Sequence, residues 1–222
     1  MLHIHQLNKT FPGQSEPALK NVSLNLAPGD FCIILGNNGS GKSTLMRSIS
    51  GECTIDSGDI HINHQQINNF ALHERASLIS SVTQDTQKGT IPEMTLLENM
   101  VLSILCGKKS TLTPYAAYEE QVTDMVRTLG LGLEAYLHVP LQQLSGGQRQ
   151  MVATLMAFAS KPTLLLLDEH TSALDPKTHQ ATMRYTAEHI TERNLTTLMI
   201  THRLEDALQY GNRLVMMSHG TI

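Results

Sequence analysis

The sequence has few cysteines, few charged side chains and no long apolar run. Its 222 residues include only three cysteines, Cys32, Cys53 and Cys106, which are odd in number and far apart. A disulfide framework or a zinc site is therefore not expected, and a reducing compartment is the natural environment. No apolar stretch reaches the roughly 18 residues that a membrane-spanning helix needs. Residues 1–8 also lack the pattern of a signal peptide. We therefore expect a cytoplasmic protein that reaches a membrane only through a partner.

An excess of basic residues is also missing. Charged residues make up 16% of the chain, and the net charge at neutral pH is −4. Proteins of this size that bind nucleic acid usually present a basic face, and none is evident in this composition. We therefore predict that nucleic acid is not a partner. The length and the hydrophobic fraction of 41% are those of one large globular domain.

Short apolar segments alternate along the chain with segments of helical periodicity. Strands are predicted at residues 2–7, 19–27, 31–35, 163–167, 195–200 and 213–217. Helices are predicted at residues 96–104, 122–129 and 151–159, where apolar side chains recur at helical spacing. This alternation favours an α/β fold with a largely parallel sheet. We predict a single domain over residues 1–222, with a helical subdomain inserted at approximately residues 86–160.

A glycine-rich segment follows the predicted strand 31–35 and precedes a helical pattern. It consists of Gly36, Asn37, Asn38, Gly39, Ser40, Gly41, Lys42, Ser43 and Thr44. The segment matches the P-loop (Walker A) pattern, in which glycines let backbone N–H groups surround a polyphosphate. The N-terminus of the next helix faces the same phosphates. Lys42 is expected to contact the β- and γ-phosphates, and the Ser43 hydroxyl to bind Mg²⁺. The sequence therefore predicts a nucleoside triphosphate site.

A second apolar strand ends in the acidic pair Asp168 and Glu169. In a P-loop sheet we expect this strand beside the strand 31–35, with its carboxyl end facing the phosphates. Asp168 would then hold Mg²⁺, mostly through water. Glu169 would be the general base for the attacking water. Metal binding and proton abstraction at one sheet edge are what phosphoryl transfer to water requires.

A third motif, Leu-Ser-Gly-Gly-Gln at residues 144–148, lies about 20 residues before the acidic pair and opens a predicted helix. Together with the P-loop it makes nearly the whole chain resemble the ATP-binding cassette (ABC) ATPases, of which it is the signature sequence. The resemblance implies a RecA-like P-loop core, an N-terminal antiparallel β subdomain and the inserted helical subdomain. It implies ATP and Mg²⁺ as cofactors. It also implies that the signature residues Ser145, Gly146, Gly147 and Gln148 contact ATP held by a second copy of the chain.

The same resemblance assigns roles to residues outside these motifs. Phe11 stands where the family has an aromatic ring that stacks on adenine, and Gln84 where a glutamine senses Mg²⁺ and contacts the membrane partner. His202 stands where a histidine contacts the γ-phosphate, and residues 172–175 resemble the loop that crosses the dimer interface. His170 departs from the family, which commonly has proline there. Glu-His-Thr at residues 169–171 resembles a subset of amino-acid importers that includes tryptophan or tyrosine uptake systems.

The resemblance implies an ATPase subunit of a membrane transporter. Two copies pair head to tail around ATP, and hydrolysis separates them. Two features bear on the direction of transport. The chain lacks membrane helices, and it lacks the acidic-glycine motif that many fused exporters carry before the signature. Both favour an importer, which implies integral membrane permease subunits and a solute-binding protein as partners. The ATPase would attach to the inner face of the membrane through the permease.

Further expectations concern the permease contact and two competing functions. Residues 85–93 are predicted to line the groove that receives the permease, with Gln87 and Ile91 at the contact. One alternative is a soluble ABC ATPase acting on nucleic acid or ribosomes, although no coiled coil or second cassette is evident. The other is a cassette that binds ATP without cleaving it, against which Lys42, Glu169 and His202 argue.

Overall fold

The computed structural model describes residues 1–85, 88–108 and 112–222. Its strands are β1 (Leu2–Lys9), β2 (Leu19–Leu26), β3 (Phe31–Leu35), β4 (Ser57–Ile62), β5 (Gln65–Gln66), β6 (Ile79–Thr83), β7 (Leu164–Asp168), β8 (Thr196–Ile200) and β9 (Arg213–Met216). Its helices are α1 (Lys42–Ser50), α2 (Leu72–Ala76), α3 (Leu96–Leu105), α4 (Glu119–Arg127), α5 (Gly146–Ala159), α6 (Pro176–Glu192) and α7 (Leu204–Tyr210). Short 3-10 turns lie at Tyr115–Tyr118, Leu133–Tyr136 and Leu141–Gln143. The predicted α/β fold is confirmed.

An antiparallel sheet contains β2, β1, β4 and β5 in that order. In β1, the side chains of Leu2, Ile4 and Leu7 are buried, whereas His3 and His5 lie on the opposite face. This alternation is typical of a sheet that has one face on the core and one toward solvent. Strands β4 and β5 come after α1 in the chain, so the antiparallel subdomain is not built from N-terminal residues alone.

A parallel sheet has the strand order β6-β7-β8-β3-β9. The prediction that the strand ending in Asp168 lies directly beside the P-loop strand is wrong, because β8 pairs with both β3 and β7 and separates them. All residues of β8 are buried, which suits a strand with a partner on each side and packing on both faces. The carboxyl ends of β3, β7 and β8 still meet at one sheet edge, because the three strands run in the same direction.

The two faces of the parallel sheet are covered by different elements. On one face, Met100 of α3 and Leu155 of α5 join Leu165 and Leu167 of β7 in one buried cluster. The helical segment therefore shares its core with the sheet, and its assignment as an inserted subdomain stays a prediction. The other face packs on α1 and on the antiparallel sheet. Helix α1 is thereby fixed at the end of β3, which places the P-loop.

None of the helices in the described residues is both long enough and apolar enough to cross a lipid bilayer.

Candidate active site

The loop between β3 and α1 has a backbone that requires glycine. Gly41, directly before α1, has φ 102°, and a Cβ placed there would lie 2.4 Å from the carbonyl oxygen of Ala18. A Cβ at Gly36 would lie 2.2 Å from the carbonyl oxygen of Met217. A side chain at either position would collide with backbone that cannot move independently. Tertiary contacts with distant segments, and not only the local turn, therefore fix the loop.

Lys42 opens α1 and is buried, with 5% of its surface exposed. Its Nζ donates to the carbonyl oxygens of Gly36 at 2.7 Å and of Asn37 at 2.9 Å. Among the described residues, no side chain caps the N-terminus of α1. The first N–H groups of the helix are therefore directed at the loop without a side-chain acceptor. A buried ammonium beside a helix N-terminus attracts a polyanion.

Three oxygen-bearing side chains predicted to hold Mg²⁺ line one cavity, namely Ser43, Gln84 and Asp168. Burial raises the pKa of the Asp168 carboxyl, while a hydrogen bond from Ser43 and the charge of Lys42 oppose that shift. The hydrogen bond places the hydroxyl of α1 against the carboxylate at the end of β7. Mg²⁺ prefers oxygen ligands with one or two carboxylates among them, so this set of donors fits the ion.

A second cavity shares Ser43 and Glu169 with the first and is also lined by Lys42. Its walls include Phe11, residues 38–39, residues 41–44 and Glu169. The Phe11 ring is partly exposed and lies in the turn after β1, with Lys9 Nζ 5.6 Å from the ring centroid. An aromatic face is thus available beside the P-loop, in the cavity that Lys42 also lines.

Glu169 and His202 are in contact. His202 Nε2 lies 2.7 Å from Glu169 Oε1, with 44% of the histidine side chain and 24% of the glutamate side chain exposed. Glu169 has φ 49°, a strained value for a residue with a side chain. Its N–H donates to the carbonyl oxygen of Ile200 at the end of β8. The intervening strand β8 thus holds the backbone of the acid and leads directly to the histidine.

His170, where the family commonly has proline, turns inward. It is 2% exposed, and its Nε2 has no hydrogen-bond partner among the described residues. Burial, with a smaller contribution from nearby His179, lowers the pKa of His170 to about 3. The ring is therefore neutral at physiological pH and acts as a packed core side chain beside Glu169.

The signature residues form the capped start of α5. Ser145 Oγ accepts from the N–H of Gln148 at 3.3 Å, and Gln148 Oε1 accepts from the N–H of Ser145 at 2.9 Å. Gly147 lies close to the next loop, because a Cβ there would be 3.3 Å from Thr178 Cγ2 and 3.7 Å from Leu174 Cδ2. In the described part of the chain, the cavities that contain Lys42 and Asp168 include no residue from 144–148. The structure therefore does not bring the signature to the P-loop of its own chain.

Two features of the site were not predicted from the sequence. Gln150 of α5 is buried and its Nε2 donates to the carbonyl oxygen of Thr83, which precedes Gln84. His179 of α6 hydrogen-bonds Asp206 of α7 at 3.0 Å in the interior. A polar residue on the apolar side of a helix was the only sequence signal for either contact. Asp175 caps α6, since its side chain accepts from the backbone N–H groups of Lys177 and Thr178.

The chain is similar to known proteins over its whole length. The family model described as ABC transporter matches residues 19–172. The tyrosine transport ATP-binding protein of Clostridioides difficile (strain R20291) is 41% identical, with all of this chain and 90% of that protein covered. The spermidine/putrescine import ATP-binding protein of Legionella pneumophila (strain Paris) is 35% identical, and the chain spans 58% of its length.

A solved structure extends the similarity to three dimensions. The dimeric, post-hydrolysis state of the ATP-binding cassette MJ0796, bound to ADP and Pi, superposes with a TM-score of 0.88. It is 29% identical in sequence, with all of this chain and 96% of that chain covered. The P-loop, the acidic pair and the signature all lie within residues 19–172, which the family model matches. The chain belongs to the ABC transporter family, as one of its ATP-hydrolysing cassettes.

Proposed function

We propose that the chain is the ATP-hydrolysing subunit of an ABC importer, and that ATP-driven closure of two copies moves its membrane partner. The observation that carries the proposal is the contact between Glu169 and His202, 2.7 Å apart at the sheet edge where the P-loop also lies. A base held by a histidine next to a phosphate-binding loop is suited to activating water against a γ-phosphate.

Each residue of the site has one task in this proposal. Lys42 and the N–H groups of residues 36–44 hold the β- and γ-phosphates of ATP, and Phe11 stacks on the adenine. Ser43, Gln84 and Asp168 hold Mg²⁺, which neutralises charge on the phosphates. Glu169 takes the proton of the attacking water, and His202 fixes the Glu169 carboxylate and reaches the γ-phosphate. Little more than positioning and charge neutralisation is needed for this reaction.

The site is completed by a second copy of the chain. Ser145, Gly146, Gly147 and Gln148 form a capped helix start that lines neither of the two cavities beside the P-loop of the same chain. A two-fold pair lets this helix start meet the γ-phosphate bound by the other copy, and the reverse contact follows by symmetry. The dimeric assembly of the similar MJ0796 cassette supports this arrangement.

Mixing two inactive variants tests the shared site. Lys42→Ala disables the P-loop and Ser145→Arg disables the signature, so each variant alone should lose ATP hydrolysis. In an equal mixture half of the pairs are mixed and have one intact site, so about a quarter of wild-type activity should return. If both variants are inactive alone and the mixture stays inactive, or if Ser145→Arg alone keeps full activity, the site is not shared between copies.

The permease and the solute-binding protein are proposed as the remaining partners. A groove between β6 and helices α3 and α5 is lined by Ile79, Leu102 and Met156, and exposed Ile91 lies at its rim. Of the two residues predicted to contact the permease, Ile91 lines this groove, which supports the proposal, and Gln87 lies outside the described residues. A short helix of the permease fits this groove and would attach the chain to the inner face of the membrane.

Ile91→Asp should reduce transport and leave basal hydrolysis unchanged, and equal loss of both would argue against the docking site.

The cargo proposed is an aromatic amino acid. The tyrosine transport relative is 41% identical over the whole chain, against 35% for the polyamine relative. Uptake of labelled tyrosine by vesicles containing the full transporter, with tryptophan and spermidine as competitors, tests the proposal. Competition by spermidine alone would overturn it.

A further inference from the structure

A cluster of buried polar side chains lies next to the loop that carries Glu169. His170, His179 and Asp206 are 2%, 3% and 4% exposed. Burying such groups costs free energy unless hydrogen bonds replace the lost water. Apolar residues of similar volume would stabilise the fold at lower cost. Stability alone therefore does not account for the pair His179 and Asp206. Its contacts reach the loops that carry Glu169 and His202.

The first contact leads to the loop of the general base. His179 lies in the second turn of α6, and its Nδ1 is 3.5 Å from the carbonyl oxygen of Thr171. Thr171 is two residues after Glu169 in the same turn, where the N–H of Ser172 donates to the carbonyl oxygen of Glu169. The ring of His179 thus supports the underside of the loop that carries Glu169.

The second contact is with the loop that carries His202. His179 Nε2 donates to Asp206 Oδ1 at 3.0 Å, because an ionised carboxylate only accepts. The other oxygen of Asp206 lies 3.5 Å from Thr201 Oγ1 and 3.8 Å from Arg203 Nε. Thr201 Oγ1 in turn accepts from the N–H of Arg203 at 3.1 Å. These two residues flank His202, so Asp206 contacts one side chain on each side of the histidine.

We propose that His179 and Asp206 are positioning residues for ATP hydrolysis. The buried pair ties the loop after Glu169 to the loop that carries His202, and thereby sets the 2.7 Å contact between them. The inference rests on the proposed roles of Glu169 and His202, and it adds the two residues that hold them in position relative to each other. Neither His179 nor Asp206 reaches the two cavities beside the P-loop, so both act through other residues.

The effect expected is on turnover and not on ATP affinity. A misplacement of about 1 Å at a reacting group costs as much as 100-fold in rate. His179→Leu should therefore lower kcat for ATP by about 10- to 100-fold. The KM for ATP should change little, because the P-loop and Phe11 lie outside the cluster.

Two further variants at the same position separate positioning from packing. His179→Gln places a donor near the position of Nε2, from which it reaches Asp206. It should restore most of kcat, because the 3.0 Å hydrogen bond is kept and only the weaker 3.5 Å approach to Thr171 is lost. His179→Asn places its amide near the position of Nδ1, away from Asp206, and should remain slow. If His179→Leu fails to fold, the comparison of the Gln and Asn variants still tests the positioning role. Equal kcat in the Gln and Asn variants would overturn the proposal.

A matched control lies on the same helix. His189 is half-buried, its Nδ1 donates to the carbonyl oxygen of Tyr185 at 3.0 Å, and it lies far along α6 from the loops that carry Glu169 and His202. His189→Leu should leave kcat within about twofold of wild type, as expected for a site without coupling to the chemistry. A kcat in His179→Leu no lower than in His189→Leu would contradict the inference.

Glu169→Gln distinguishes failure of the inference from failure of the proposed function. If that variant is inactive while His179→Leu is normal, the buried pair has no positioning role. If Glu169→Gln hydrolyses ATP at the wild-type rate, the proposed mechanism itself is wrong.

Discussion

Glu169→Gln removes the proposed proton acceptor and keeps the shape of the site. The amide oxygen of glutamine can accept from His202 Nε2 as the carboxylate does across 2.7 Å. Glutamine at φ 49° carries the same backbone strain as glutamate, so the loop geometry should persist. The charge of Glu169 contributes to the raised pKa of Asp168. Its removal therefore lowers that pKa and does not weaken the carboxylate that is proposed to bind Mg²⁺.

The expected loss of rate is large. A general base contributes roughly 100- to 10,000-fold to proton transfer, so kcat should fall by about 100-fold or more. That fall corresponds to about 2.7 kcal/mol of transition-state stabilisation or more. ATP binding should be unchanged, since Lys42 and the rest of the P-loop are intact. Without hydrolysis to separate the copies, a dimer should accumulate in the presence of ATP.

The assay combines steady-state phosphate release with size-exclusion chromatography in ATP. Glu188→Gln is the control, because Glu188 is an exposed glutamate on α6 outside the site, and it should behave as wild type in both measurements. A Glu169→Gln variant that retains more than about a tenth of wild-type kcat would refute the general-base role, since that loss is below the range for such a base. Loss of activity with loss of ATP binding would indicate a damaged P-loop instead.

Phe11→Ala should raise the KM for ATP roughly 10-fold, since stacking of a base on an aromatic ring is worth about 1–3 kcal/mol; Phe11→Tyr should retain the wild-type KM, and an unchanged KM in the alanine variant would exclude stacking. Gly41→Ala should abolish nucleotide binding in equilibrium titrations, because φ is 102° and the new Cβ meets backbone at 2.4 Å. Gly13 also has a positive φ, but a Cβ there would meet open space, so Gly13→Ala should bind nucleotide normally. Equal loss of nucleotide binding in both variants would show that backbone strain, and not the collision at Gly41, is the cause. Burial raises the pKa of the Cys32 thiol to about 11, so iodoacetamide at pH 8 should modify the half-buried Cys106 first. Faster labelling of Cys32 in mass spectra of the native protein would contradict its burial.

The motifs that carry chemistry were predictable because each is local. The P-loop, the acidic pair and the signature each need a fixed spacing of a few residue types, and each lies at the junction of a strand or loop with a helix. Strand β4 was missed because half of its residues are polar and the alternation is short. The buried strands β7 and β8 were recognised as strands, but their order was not predicted correctly. Apolar runs of similar length are equally suited to adjacent positions in a parallel sheet.

The sequence by itself determined that the chain is a P-loop ATPase of the ABC type, because the P-loop and the signature are each one continuous segment of the chain. Only the tertiary structure decided that β8 separates the P-loop strand from the acidic strand, and that Glu169 meets His202. It also brought His179 of α6 to Asp206 of α7. Contacts between residues far apart in the chain depend on how helices pack on a sheet, and the periodicity of one segment does not specify that packing.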